Sequence, residues 1–300
     1  MRQHFGGRLR GSGQKARVRE KLPLIYIVGS SHSGSTLLDL LLGSHSSIES
    51  LGEAKKIPSI VAEISRGARP LCTCRQEVQD CPLWGSVLSE TTGDLKSDPA
   101  ANGALYRRIL EASGKSFLLD SSKTLGRALM FARSDLFNMV FIQLVRDSRA
   151  VVFSSKRKRS RQQNGDYGLI STALGWQKLN ARIQRRLMHK GNHRYMVLRY
   201  EDLTSNPHRV LENILGIAGL SWEPALMRYR ESVHHNIEGN RMRMGTDSEI
   251  KRDEQYLFAL GRLEWVLSTA LTFRGLRRFG YSLKRSRAPN EAGSTAPSLR

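Results

Sequence analysis

The chain has 300 residues, 39% of them hydrophobic, and a formal net charge of +21 at pH 7. That length suits one large α/β domain or two small ones with a packed core, and no apolar run approaches the ~20 residues of a membrane-spanning helix. The charge attracts anions (a nucleotide, an acidic polymer, nucleic acid, a membrane surface) without choosing among them.

Residues 1–22 carry Arg2, Arg8, Arg10, Lys15, Arg17, Arg19 and Lys21 against Glu20, and read as a mobile basic arm. No signal-peptide core follows, because Leu22 to Val28 is too short and runs into a loop, so a cytoplasmic protein is expected. Leu24 to Val28 is long enough for a buried strand. It leads into Gly29, Ser30, Ser31, His32, Ser33, Gly34, Ser35 and Thr36, and then into an apolar run that starts a helix. Strand, small-residue loop and helix is the layout that aims backbone N–H groups at an anion. Gly29, Gly34 and Thr36 keep the spacing of the P-loop, G-x-x-x-x-G-K-[ST], but Ser35 stands where the lysine belongs. A loop that keeps the cradle and drops the lysine grips a phosphate ester other than a nucleoside triphosphate.

Gly43 to Glu53 reads as a turn and a short extended piece, and Ile57 to Ile64 as a helix. Cys72, Cys74 and Cys81 follow as C-x-C-x6-C; zinc wants a fourth ligand, no histidine lies nearby in sequence, and packed, reduced thiols are expected. Residues 89–103 read as polar and exposed, Ala104 to Ala112 as a helix, and Ser116 to Leu119 as a strand closed by Asp120, Ser121, Ser122 and Lys123. Leu125 to Arg133 is a helix, and Val140 to Val145 a strand closed by Arg146 and Asp147. Asp147 or Ser148 caps a helix running through Ser154. The cluster KRKRSR occupies residues 156–161. Leu169 to Met188 is helical, Tyr195 to Leu198 a strand closed by Arg199, Tyr200, Glu201 and Asp202, His208 to Ile217 a helix after Pro207, and Leu257 to Leu276 mostly helical. Residues 284–300 read as a disordered tail. Strands alternating with helices predict a P-loop-type α/β fold, a doubly wound parallel sheet in a single domain over residues 23–283. Ligands of such sheets bind beyond the carboxyl ends of the strands. The Gly29–Thr36 loop, Lys123, Arg146 and Tyr200 all fall there.

Arg146 and Ser154 lie eight residues apart, across about two helical turns, and an arginine fork with a hydroxyl makes a cage for a second phosphate. An ion pair from Arg146 to Asp147 or Asp120, with an ordinary helix serine, is the structural alternative. VFIQLVRDSRAVVFS, residues 140–154, resembles the 3′-phosphate motif of the sulfotransferases that use 3′-phosphoadenosine 5′-phosphosulfate (PAPS). The loop at 29–36 resembles that family's 5′-phosphosulfate loop, and VLRYEDLTSNP, residues 197–207, a third landmark. The motif layout is most similar to tyrosylprotein sulfotransferases and related bacterial enzymes, through Gly52-Glu53 and Lys123.

The resemblance implies a transfer of the sulfuryl group to a hydroxyl or amine. Glu53 is then the general base, and Lys123 stabilises the transferring group and the leaving phosphate. Ser31, His32, Ser33, Gly34, Ser35 and Thr36 hold the 5′-phosphate, Arg146 and Ser154 the 3′-phosphate, and Tyr200 sits near the nucleotide. Arg241 or Arg243, in Gly239-Asn240-Arg241-Met242-Arg243, closes over it. His32 departs from the family, which has arginine there; Lys55, Lys56 or a protonated His32 are the candidates to compensate. No metal is implied, and His234 and His235 have no partner at ligand spacing. The competing readings are a P-loop kinase or hydrolase, with Phe117-Leu118-Leu119-Asp120 as a Walker B strand holding Mg²⁺, and a nucleic-acid binder. The missing lysine opposes the first, and an aromatic content of 7% without a nucleic-acid module opposes the second. The acceptor is not legible. Residues 54–103 and 156–168 are free to shape its pocket, and Lys156 to Arg161 hint at an acidic one, against a plain solvated helix face.

Overall fold

A computed structural model describes residues 20–161, 168–188 and 193–285. The expected basic arm, apart from its last residues, the tail beyond residue 285 and residues 162–167 of the suggested acceptor region lie outside the described residues. Five strands form one sheet: β1 (Leu22–Gly29), β2 (Ile48–Ser50), β3 (Phe117–Lys123), β4 (Phe137–Val145) and β5 (Arg194–Arg199). Their order is β2-β3-β1-β4-β5, and every pairing is parallel. Helices cover both faces, so the α/β doubly wound architecture expected from the alternation is the one observed. Among the described residues no helix is long and apolar enough to cross a membrane.

The central strand explains itself. A strand buried on both faces reads as a continuous apolar run, because alternate side chains enter opposite layers. Leu24, Tyr26 and Val28 pack into one layer with Tyr106, Phe131, Phe137 and Phe141, while Ile25 and Ile27 enter the other with Leu37, Leu38 and Leu41. The helix Ser35–Gly43 therefore lies flat on one face of β1, with its N-terminus at the strand's carboxyl end. A Cβ on Gly29, where the strand ends, would lie 2.4 Å from the carbonyl oxygen of Leu144, so glycine is what lets β1 and β4 close up at the site.

Several boundaries differ from the sequence reading for physical reasons. The helix Pro99–Ser113 begins inside the stretch read as exposed, because Asp98 caps it, accepting from the Ala100 N–H at 2.8 Å, and because Asn102 is buried, donating to the carbonyls of Leu95 and Asp98. The long C-terminal helix is two, Tyr256–Ala259 and Arg262–Arg278, split at Leu260-Gly261, where the Gly261 N–H donates to Glu264 at 2.9 Å and starts the second. Asp147 caps the helix Ser148–Arg161 by accepting from the Arg149 N–H at 2.9 Å.

The Walker B reading fails on the surroundings of Asp120. This carboxylate is fully buried and accepts from Tyr106 Oη at 2.7 Å, the Ser122 N–H at 2.8 Å and Arg127 Nε at 3.0 Å. Its lone pairs are committed to the fold rather than aimed at a magnesium ion. Removing one partner of a buried pair leaves the other charge uncompensated, at a cost of about 3–5 kcal/mol. Arg127→Met is therefore expected to lower the unfolding free energy by about that amount in urea titration; a loss below about 1 kcal/mol would mean that Asp120 finds another partner.

Candidate active site

Every residue singled out near the loop follows the carboxyl end of a strand. After β1, the loop turns through His32 and Gly34, both at positive φ (63° and 92°), and the helix Ser35–Gly43 opens with its first N–H groups pointing out of the end. A Cβ on Gly34 would lie 2.4 Å from Tyr200 Cδ2, so the tyrosine after β5 lies directly against the loop. After β4, Arg146 is 7% exposed and its guanidinium sits 4.5 Å from the centre of the Tyr200 ring. It donates to the His32 carbonyl at 3.2 Å and the Asp253 carbonyl at 3.0 Å, and pairs with the Asp253 carboxylate at 3.2 Å. Behind it, the Trp176 indole donates to the Arg146 carbonyl at 3.0 Å, and Glu201 accepts from the Asp147 N–H at 3.1 Å and Tyr281 Oη at 2.7 Å. Burial and the nearby Asp147 charge raise the Glu201 pKa.

Four buried polar atoms around this cleft have no hydrogen-bond partner: Ser30 Oγ, Ser33 Oγ, Arg146 Nε and Ser154 Oγ. Leaving such an atom unsatisfied costs about 1–3 kcal/mol. Ser30 and Ser33 belong to the loop after β1, Arg146 follows β4, and Ser154 lies two turns along the next helix, so these unsatisfied groups flank the carboxyl ends of neighbouring strands.

On the other side of β1, Glu53 follows β2 and Lys123 ends β3. Lys123 has positive φ (66°), which turns its side chain into an ion pair with Glu53 Oε1; Lys55 reaches Glu53 Oε2 at 3.3 Å. Burial pushes the Glu53 pKa up, but the charges and hydrogen bonds of Lys123 and Lys55 outweigh it and hold the carboxyl below its ordinary range. His32 is half-buried, and desolvation together with Lys158, Arg146, Lys123 and Arg157 lowers its pKa to about 4. The ring is neutral at pH 7, so a protonated His32 does not replace the missing arginine charge. The positive charge around the ring comes from Lys158, Arg146, Lys123 and Arg157.

The structure brings together the loop residues Ser31 to Thr36, Arg146 and Tyr200 at one end of the sheet, with Glu53 and Lys123 beside them. Among the described residues no hydrogen bond or ion pair joins Arg241 or Arg243 to this cluster, although Met242 between them packs beside the helix Ser35–Gly43. Arg241 is exposed, and Arg243 donates to the carbonyls of Asn236 at 2.9 Å and Leu71 at 3.4 Å, beside the cysteine loop. The segment that covers Arg146 and Tyr200 is 251–253: Tyr200 Oη donates to the Lys251 carbonyl and accepts from the Asp253 N–H, both at 3.3 Å. Sequence reasoning missed Asp253 because nothing around it repeats or alternates. It also missed Asp39, buried on the helix Ser35–Gly43, which accepts from Ser50 Oγ at 2.7 Å and from Asn236 Nδ2. Burial raises the Asp39 pKa to about 6. A polar residue within an otherwise apolar helix, LLDLLL, was the available signal.

The three cysteines are free thiols, with Cys72 and Cys81 buried, as expected. The fold supplies the neighbour that sequence spacing lacked, because His235 packs against Cys72, Cys74 and Cys81.

Residues 23–224 match the pattern of the sulfotransferase family. The chain is 24% identical over 241 residues to protein-tyrosine sulfotransferase 2 of Gallus gallus, covering 78% of this chain and 62% of that protein. It is 25% identical over 243 residues to protein-tyrosine sulfotransferase of Drosophila melanogaster, covering 77% and 45%. It thus spans about half to two thirds of the length of these relatives. Among solved structures, the sulfotransferase domain of the Synechococcus PCC 7002 olefin synthase superposes with a TM-score of 0.58 at 21% identity, covering 91% of this chain and all of that one. The sulfotransferase domain from the curacin biosynthetic pathway gives 0.54 at 22%, covering 88% and 100%.

Proposed function

The chain belongs to the sulfotransferase family, and on that premise we propose that it moves a sulfuryl group from PAPS to a hydroxyl or amine acceptor. The observation that carries this reading is the pair of unpartnered buried atoms Ser33 Oγ and Arg146 Nε, the arginine bonded to the His32 carbonyl of the loop that opens a helix, with Ser154 Oγ also unpartnered on the helix after Arg146. A nucleotide with a phosphate at each end satisfies donors on both sides of that cleft. Ser31, His32, Ser33, Gly34, Ser35 and Thr36 hold the 5′-phosphate end through backbone N–H groups and hydroxyls. Arg146 and Ser154 hold the 3′-phosphate, and Tyr200 lines the nucleotide side. Arg243 donates to the carbonyls of Asn236 and Leu71 and so is engaged elsewhere, which leaves the exposed Arg241 as the candidate to close over the nucleotide.

The acceptor oxygen attacks sulfur, the bond from sulfur to the 5′-phosphate oxygen breaks, and 3′-phosphoadenosine 5′-phosphate leaves. Glu53 takes the acceptor's proton, and Lys123 stabilises the charge that develops on the transferring group and the leaving oxygen. These two side chains form an ion pair; a sulfuryl group beside Lys123 competes with Glu53 for the ammonium and favours Glu53 as a base.

The test is a binding titration with 3′-phosphoadenosine 5′-phosphate against ATP with Mg²⁺. The bisphosphate is expected to bind at least about tenfold more tightly, the worth of one charge-assisted hydrogen bond. Preference for ATP would return weight to a kinase.

The relatives' names put a protein tyrosine first among acceptors to try, and the basic cluster suggests an acidic sequence around it. Lys156 and Arg157 are already engaged, with Glu264 at 2.7 Å and with Gln255 and Asp253 at 2.8 and 3.3 Å. Lys158 is exposed, and its charge reaches His32. Lys158→Ala is expected to raise the KM of an acidic peptide by about 2–5-fold at low salt, an effect that shrinks as salt is added. An unchanged KM would remove the acidic preference.

A further inference from the structure

We propose that Cys72, Cys74, Cys81 and His235 form a closed structural zinc site that fastens the cysteine loop to the segment leading past Asn236. The four ligand atoms all lie within 4.8 Å of one another. Zinc takes sulfur at about 2.3 Å and nitrogen at about 2.0–2.1 Å in a tetrahedron, whose edges are then about 3.8 Å between sulfurs and about 3.6 Å from sulfur to nitrogen. The Sγ of Cys81 lies 3.6 Å from that of Cys72 and 3.7 Å from that of Cys74. His235 Nδ1 lies 3.2 Å from Cys81 Sγ and 4.0 Å from Cys72 Sγ, straddling the expected edge.

A disulfide needs sulfurs about 2.05 Å apart, and three thiols cannot all pair. All three are free thiols, and Cys72 and Cys81 are buried. Three soft thiolates and one imidazole select zinc over the hard, oxygen-seeking cations. With all four positions filled by the chain, the site is structural rather than catalytic.

The local backbone is arranged for this. Arg75, at φ 70°, turns the chain so that Cys72 N–H donates to the Gln76 carbonyl at 2.9 Å, and Leu71 bridges Glu77. Thr73 Oγ1 accepts from the Asn236 N–H at 2.8 Å and donates to the His234 carbonyl at 2.5 Å, and the Trp84 indole donates to the His235 carbonyl. Cysteine loop and histidine thus approach each other through an ordered set of contacts, although Cys81 and His235 are 154 residues apart. The consequence reaches the active site. Asn236 donates through Nδ2 to Asp39, the carboxylate that also accepts from Ser50 Oγ, and the Glu238 carbonyl lies 2.8 Å from where a Cβ on Gly52 would be. The metal is a staple behind the segment that carries Glu53.

Element analysis of the full chain, purified under reducing conditions from zinc-replete medium, is expected to give one zinc per chain. Replacing zinc with Co²⁺ is expected to produce the visible bands of a tetrahedral site and thiolate-to-cobalt charge transfer. His235→Cys keeps the metal and raises that charge transfer by about one third, four thiolates for three; His235→Ala and Cys81→Ala lose most of it. Metal content of the unaltered protein decides the matter even if a variant fails to fold. Less than about a tenth of a zinc per chain, with no cobalt spectrum on titrating the reduced protein, overturns the proposal. So does a disulfide found in place of the thiols.

Discussion

Lys123→Ala is expected to lower kcat for sulfuryl transfer by about 10²–10³-fold, the usual loss when one preorganised donor to developing charge is removed. Glu53→Gln is expected to cost about 10²–10⁴-fold, the range of a lost general base. Glu53→Gln is expected to leave the affinity for 3′-phosphoadenosine 5′-phosphate within a few-fold of the parent, and Lys123→Ala to weaken it by far less than it lowers kcat, because most contacts to its phosphates are assigned to other residues. The pH profile separates the two roles. Glu53 works deprotonated, so activity falls as pH drops through its pKa. That pKa is held below the ordinary carboxylate range by Lys123 and Lys55 against the opposing effect of burial. The acid limb of kcat/KM in the parent enzyme is therefore expected below pH ~4.5, leaving a flat profile from about pH 5 upward. In Lys123→Ala the burial remains and the larger opposing charge is gone, so the acid limb of the residual activity moves up. A Lys123→Ala enzyme whose limb stays put, or a Glu53→Gln enzyme with full kcat, would remove Glu53 as the base.

The parts of this site legible in the sequence are those that depend on neighbours along the chain. Leu24 to Val28 declares a strand buried on both faces, and the small residues after it declare a tight turn into a helix. Arg146, Lys123 and Tyr200 follow strand ends, and a parallel sheet gathers all strand ends on one edge. What stayed hidden depends on chain paths between distant segments. His235 reaches the three cysteines only because residues 234–236 run back along the cysteine loop. Asp253 meets Arg146 through a segment with no periodic pattern. The charge state of His32 was hidden for a related reason: Lys158, Arg146 and Lys123, which help keep the ring neutral, come from three different segments. Asp120 shows the converse error, a strand-end carboxylate that looks like a metal ligand until Arg127 and Tyr106 are placed around it.

Arg146→Ala is expected to weaken binding of 3′-phosphoadenosine 5′-phosphate by about 10²-fold or more, since a buried guanidinium fork supplies two charge-assisted hydrogen bonds of about 1.5–3 kcal/mol each. Arg146→Lys restores the charge but not the planar fork, and is expected to recover only part of the loss. Asp253 sharpens the test. Its carboxylate sits 3.2 Å from the Arg146 guanidinium, on the donors that the reading gives to the 3′-phosphate. The two anions compete for one cation, so ligand entry has to displace Asp253 or tolerate its repulsion. Asp253→Asn removes the competing charge while keeping a polar side chain of the same size, and is expected to tighten bisphosphate binding by several-fold, with the gain largest at low salt. Arg146→Ala and Asp253→Asn thus move the same affinity in opposite directions. A purely structural ion pair would instead make both changes destabilising and leave the Kd of the folded protein alike in all three. Titration calorimetry beside a melting curve for each variant tells these apart, and equal Kd values would take the 3′-phosphate away from Arg146.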